Sequence, residues 1–396
     1  MTSLTPAGLH SEAIEPKKTD DPRYSINRLY AFGSNGSGQL GIGSTSDAAT
    51  PHPVNGSPGV SAAPVKHVAC GGNHTVILFT NRNFAAAGHN SDGRCPTTGK
   101  TRSASLTNVQ VPPDTIDSDC AEVMITATWS ATLLICKSGM LMACGTGNSG
   151  ELGLGPDVTT AKHPTPVEGF PPRNTSIVKL ASCMGHAVAV LSTGEVYGWG
   201  KGRKGQLGEP AENSWTPRKI EGIPFCAVSA ICGKDFTCIF GEPSKGELFL
   251  LGPNGNDRFG VKADAPKAVP GWKQVAASWG SIYVLFESGK LIGWGRNDHG
   301  QLPPPGMPHL ESFAAGSEHC LGLTSSGKVL AWGWGEHGNC GQRTAENGDV
   351  KDRWNCIELL RAASAVFAGC ATSFVVTNDR RIYEDDSPKA HSIMNT

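Results

Sequence analysis

Two short segments recur in strict alternation along almost the whole of this chain, seven times each, and they limit the folds open to it. The first is an apolar or aromatic strand that ends in glycine and runs into a glycine-rich turn. Its clearest copies are YAFGSNGSGQLG (Tyr30 to Gly41), MACGTGNSGELG (Met142 to Gly153) and VYGWGKGRKGQLG (Val196 to Gly208). Weaker copies place the anchoring glycines at Gly33, Gly88, Gly145, Gly200, Gly252, Gly295 and Gly333, with spacings of 55, 57, 55, 52, 43 and 38 residues.

The second segment precedes each later copy. A run of small residues leads to a sixth place held by His74, Thr132, His186, Phe236, Ile282, His319 or Thr372, and an apolar stretch follows. From that place to the next anchoring glycine takes 13 to 16 residues, the length of a strand, a tight turn and a return strand. Repeats of this period read as one β-blade each. A blade cannot bury both of its faces alone, so neighbours stack and the ring must close. The sequence therefore predicts an all-β chain, a single seven-bladed β-propeller over residues 25–384, with polar, mobile tails at 1–24 and 385–396. The last repeat has no glycine-rich segment after it, and the first has no histidine-type segment before it. The N- and C-terminal strands are thus expected to pair and close the ring.

Composition supports this and narrows the chemistry. Fifty glycines and 27 prolines, with 17% charged residues, suit many short strands joined by tight turns. A formal net charge of −1, without a run of either sign, argues against direct nucleic-acid binding. The N-terminus lacks an apolar signal core and no stretch is long enough to span a bilayer, so a soluble, intracellular protein is expected. The 13 cysteines include no CxxC pair; they are expected to be reduced and mostly buried, without a zinc site. Gly200 to Gly205 spells G-x-G-x-x-G, but it is a member of the repeat family and opens no helix. GRCPTTGKT (Gly93 to Thr101) has five residues between its glycines where a phosphate loop needs four. His74, His186 and His319 fall on different blades and are expected to bond neighbouring backbone rather than a metal. No nucleophile, base and acid can be grouped, so no enzyme activity is expected.

Trp199, Trp294 and Trp332 each precede a repeat glycine and are predicted to pack between blades. Trp129 and Trp279 instead replace the small residue seen at Gly71, Cys183, Gly233, Gly316 and Gly369. Trp334 and the run Glu336 to Cys340 fill a turn that elsewhere carries small polar residues. Aromatics set among polar loops are characteristic interface anchors.

These paired segments resemble the regulator-of-chromosome-condensation repeat over about residues 28 to 383. WGWGEHGNCG (Trp332 to Gly341), with YAFGSNGSGQLG, ACGGNHTVIL, GSEH and the final FAGCATSFVV, further resembles the fungal alpha-tubulin-suppressor, or killer-toxin-insensitivity, group of propellers. That resemblance implies a heterodimer with a small CSL-type metal-binding protein, which carries iron or zinc on four cysteines of its own, and no cofactor on the propeller. It implies roles in diphthamide formation on elongation factor two and, through an indirect link to Elongator, in wobble-uridine modification of tRNA. The implied compartment is the cytoplasm, or cytoplasm and nucleus, with no membrane contact. The implied partner-binding residues are Lys234 and Asp235 in GKDF, Trp279 in SWGSI, Glu318 and His319 in GSEH, and Trp334, Glu336 and His337. The N-terminal tail and the stretch around 95–115 look like additions to the family pattern, and the degenerate second repeat leaves the strand number of its blade open.

Two other functions share the fold. A nucleotide-exchange factor for a Ran-like GTPase needs an insertion that wedges into the nucleotide site, and a basic tail aids it. Neither is evident here, since the spacings stay within 38 to 57 residues. An ultraviolet photoreceptor needs clustered tryptophans backed by arginines, whereas these tryptophans occupy scattered repeat positions.

Overall fold

The computed structural model describes residues 25–97, 101–111, 122–253 and 255–381. The two predicted tails and part of the 95–115 stretch lie outside the described residues. Within them the chain forms 26 strands in seven sheets, with no helix.

Blade 1 runs from Val65–Cys70 outward through His74–Phe79 and Phe84–His89 to Arg102–Asn108. Blade 2 spans Met124–Ala127 to Thr160–Pro166, and blade 3 Ile177–Cys183 to Ser214–Lys219. Blade 4 (Ser229–Cys232, Thr237–Phe240, Leu248–Leu251) and blade 5 (Trp272–Ala277, Ser281–Phe286, Leu291–Gly295) have three strands each. Blade 6 runs from Ser312–Ala315 to Asp349–Ile357. Blade 7 takes Arg361–Ala368 and Thr372–Arg381 from the end of the chain, and Ser25–Gly33 and Ala48–Asn55 from its start. Leu29 lies opposite Val376 and Phe32 opposite Ser373, so the ring closes as expected, with two N-terminal strands.

The two repeat segments meet across a strand pair. His74 lies opposite Gly88, His186 opposite Gly200, His319 opposite Gly333 and Thr372 opposite Gly33. Gly200 shows why the anchor is glycine: its φ is +95°, and a Cβ there would sit 2.8 Å from the His186 Cα. In blades 2 and 5 the residues opposite the anchor are Ala131 and Ser281, not Thr132 and Ile282. The register assigned from sequence was therefore one residue late in these two repeats. Their interval of 13 residues, against 14 in blades 1, 3 and 6, carries that slip.

The three histidines join neighbouring blades. Each Nε2 lies 2.9–3.0 Å from a hydroxyl on the next blade: His74 from Thr132, His186 from Thr237 and His319 from Ser373. The Thr132 and Ser373 hydroxyls donate onward to the Arg94 and Asn339 carbonyls, so His74 and His319 must donate through Nε2. The expected backbone partner is thus a side-chain hydroxyl, backed by backbone. Burial holds all three rings neutral, lowering His186 and His319 to about 4 and, with the Arg94 charge adding, His74 to about 3. The tryptophans make the matching bond. Trp199, Trp294 and Trp332 are buried and donate Nε1 at 3.0 Å to the Glu151, Val261 and Gln301 carbonyls in the preceding blade's loop.

Glycine-rich loops also clasp the next blade. The fifth residue after the anchor is glycine in Gly38, Gly93, Gly150, Gly300 and Gly338, and each lies against the next blade's outer strand. A Cβ on Gly38 would come within 2.7 Å of the Ala104 Cα, and one on Gly338 within 2.6 Å of the Ala49 Cα. Of the 95–115 stretch, Arg102–Asn108 is no addition but the outer strand of blade 1, so the blade of the degenerate repeat has four strands. The short blades are 4 and 5, whose missing outer strands account for the spacings of 43 and 38.

Candidate protein-binding face

The inner strands carry small residues because seven of them converge on the axis. At their upper ends the turn tips are Gly72, Trp129, Met184, Lys234, Trp279, Ser317 and Cys370. These tips are tied by backbone bonds: Gly72 N to Trp129 O, Trp129 N to Met184 O, Lys234 N to Trp279 O, Trp279 N to Ser317 O, and Ser317 N to Gly369 O, all 2.8–3.0 Å. Side chains at the tips therefore stand on a fixed rim. Trp129 and Trp279 lean together across the channel mouth from blades 2 and 5, ring centres 6.1 Å apart. The Lys234 ammonium lies 5.8 Å from the Trp279 ring centre. Trp129 covers Gly72 with its ring yet remains 39% exposed, a large apolar surface at the channel mouth.

Below the pair is a channel of about 220 Å³, lined in part by Cys70, Cys183, Cys232 and Cys370. Burial pushes all four thiols up, Cys70 to about 11 and Cys232 to about 12, so they stay protonated and poor as nucleophiles. No cluster of three or more His, Cys, Asp or Glu among the described residues is arranged to hold a metal ion.

Outside Trp279 opens a cleft of about 390 Å³, walled by the loops that follow the anchoring glycines of blades 3, 4 and 5 and by the tops of blades 4, 5 and 6. Lys234, Asp235, Trp279 and Glu318, four of the residues chosen from sequence, line it together with Lys204, Arg258, Phe259 and Arg296. Arg296 organises its floor. It pairs with Glu318, bonds Asp298 through Nε (2.7 Å) and Nη2 (2.9 Å), and lies 5.2 Å from the Phe259 ring centre. Gln301 donates to the second Glu318 oxygen at 2.8 Å. Burial raises the Glu318 carboxyl against these bonds, while Asp298 falls to about 2 because the bonds from Arg296 and Gln301 outweigh its burial. Beside Asp298, His299 stacks on Trp334 with ring centres 5.1 Å apart and bonds Asp349 at 2.8 Å.

The remaining sequence-chosen residues divide. Trp334 is half-buried under His299, Glu336 is exposed, and exposed His337 bonds Asp47 of blade 7's loop at 2.9 Å. His319 is fully buried with its ring nitrogen on Ser373, so its side chain offers no surface to a partner. Glu318 is also buried, at 2% exposure, and shapes the cleft through Arg296. Sequence reasoning missed Arg296, although it occupies the place directly after an anchoring glycine, as Trp334 does.

The sequence model of the RCC1-like domain matches residues 28–377. The chain belongs to the RCC1-like family. An RCC1 repeat-containing protein of Schizosaccharomyces pombe, C10F6.04, is 28% identical over 370 residues, covering 89% of this chain and 99% of that protein. The mouse secretion-regulating guanine nucleotide exchange factor is 26% identical over 72% of this RCC1-like chain and 64% of its own length. Among solved structures, Prp20p of Saccharomyces cerevisiae superposes with a TM-score of 0.75 at 20% identity, over 95% of this chain and 97% of that one. That likeness carries the fold.

Proposed function

We propose that this RCC1-like chain is a non-catalytic scaffold whose tryptophan-bearing face holds a small CSL-type protein carrying iron or zinc on four cysteines. In this reading the propeller shields that partner and tunes electron delivery from it. It thereby serves diphthamide formation on elongation factor two and Elongator-dependent wobble-uridine modification, in the cytoplasm or in cytoplasm and nucleus. The observation that carries the reading is the Trp129–Trp279 pair on a hydrogen-bonded rim, flanked by the Lys234 ammonium and the Arg296-floored cleft. Tryptophan and arginine are among the residue types enriched at interface hot spots. Protonated channel thiols and neutral, bonded histidines support a role in holding rather than converting.

The test is reconstitution. The chain and the four-cysteine protein, mixed under reducing conditions, should elute as a one-to-one complex. Separate elution at micromolar concentration would sink the reading. Accelerated nucleotide release from a Ran-type GTPase would replace it with the exchange activity that the mouse relative's name states for that protein.

A further inference from the structure

Blades 4 and 5 both lack an outer strand, and the connection leaving each seats on the turn before its edge strand, Val269 N on Gly246 O and Leu310 N on Gly289 O, both at 2.8 Å. Beside blade 5, the connection to blade 6 contains Pro303, Pro304, Pro305 and Pro308, and Pro303 packs against Gly293 of the edge strand. Proline has no N–H for a further strand, so this edge is blunted. The edge strand of blade 4 is Leu248-Phe249-Leu250-Leu251, itself without proline, charge or bulge, and the connection after it carries Pro266 and Pro270. All four residues are partly exposed, whereas the equivalent strands of blades 1, 2 and 6 are buried over their first five residues. One side of this strand pairs with Thr237–Phe240; the other has no backbone partner among the described residues.

The loop above this edge, which follows the anchor Gly200, packs on the end of the edge strand at Gly252. Gly205 keeps the fifth-place glycine (φ +79°) that in five other loops lies against an outer strand, while the loop leading to blade 5 has Asp257 there. The same loop carries Lys201, Arg203 and Lys204, all exposed and without an ion-pair partner among the described residues. Lys204 also lines the cleft beside Trp279, and its carbonyl lies 3.1 Å from where a Cβ on Gly252, at the end of the edge strand, would sit. Edge and cleft are therefore continuous.

We infer that blade 4 is completed from outside the chain, by an extended acidic segment of a partner protein that adds as a fourth strand along Leu248–Leu251. Its backbone fills the free ladder positions, and its carboxylates meet Lys201, Arg203 and Lys204. This contact uses main chain at the rim, so it stands or falls separately from the tryptophan face.

The full-length chain would be titrated with a fluorescent ten-residue peptide alternating threonine or valine with glutamate. A lysine counterpart, and a version N-methylated at alternate backbone nitrogens, serve as comparisons. The glutamate peptide should slow amide exchange at Leu248–Leu251. N-methylation, the lysine peptide and Arg203→Glu should each weaken binding at least about tenfold, the scale of one or two lost bonds. Equal binding of the N-methylated or lysine peptide overturns the inference. So does no binding at millimolar peptide, slow exchange already present in the free chain, or edge-to-edge pairing of two copies in sedimentation.

Discussion

On the proposed scaffold reading, Trp279→Ala should separate binding from folding. The backbone bonds that fix the tip, Trp279 N to Ser317 O and Lys234 N to Trp279 O, survive the substitution. What is lost from the free protein is the tilted pairing with Trp129 at 6.1 Å and the cation–π contact from Lys234 at 5.8 Å. An aromatic pair contributes about 0.5–1.5 kcal/mol and an exposed cation–π contact about 0.5–1 kcal/mol. Folding stability should therefore fall by about 1–2.5 kcal/mol. An anchor at the centre of an interface costs about 2 kcal/mol or more when truncated, roughly thirtyfold in affinity. Calorimetric titration with the metal-loaded four-cysteine partner would read the affinity, and a thermal melt would read the fold. Trp129→Ala should weaken binding similarly, and the double variant should cost less than the two singles added, because the rings touch. An unchanged affinity in a folded Trp279→Ala protein would refute the anchor argument. Loss of the cooperative melt would instead make Trp279 a core residue.

Trp332→Ala should behave in the opposite way, costing about 3–5 kcal/mol of stability through a buried cavity and the lost bond to Gln301, measured by denaturant unfolding. Because His74, His186 and His319 are held neutral when folded and charge when unfolded, their contribution is complete above about pH 6.5. It is lost as pH falls towards 4 for His186 and His319, on the order of 3 kcal/mol for each, and towards 3 for His74, on the order of 5 kcal/mol; His186→Gln should flatten that acid limb in pH-dependent melts. Arg296→Ala leaves Glu318 buried beside Gln301 without its cation and should destabilise by about 3 kcal/mol, with Arg296→Ala/Glu318→Gln recovering part of the loss in the same assay.

The ring was legible because its rules are local. Glycine at each strand end, a sixth-place histidine and a tryptophan before the anchor all recur at fixed intervals, and each proves to be a cross-strand or cross-blade contact. The short spacings after Gly252 and Gly295 already held the lost outer strands, and the 13-residue intervals held the register slip in blades 2 and 5. The cleft was only half legible. Its walls come from three loops on separate blades, so Lys204, Arg258, Phe259 and Arg296 share a site that no spacing along the chain reveals. His319 holds the same repeat place as His74 and His186, which already marked it as a buried cross-blade contact rather than a partner-facing side chain.

The most direct test of the scaffold account is capture of the tagged full chain from an extract of its own cells, with bound proteins identified and quantified by mass spectrometry. The account predicts a small four-cysteine metal protein in near-equal amount, lost on Trp279→Ala. Recovery of a Ran-type GTPase instead, held more tightly once nucleotide is stripped, would contradict it.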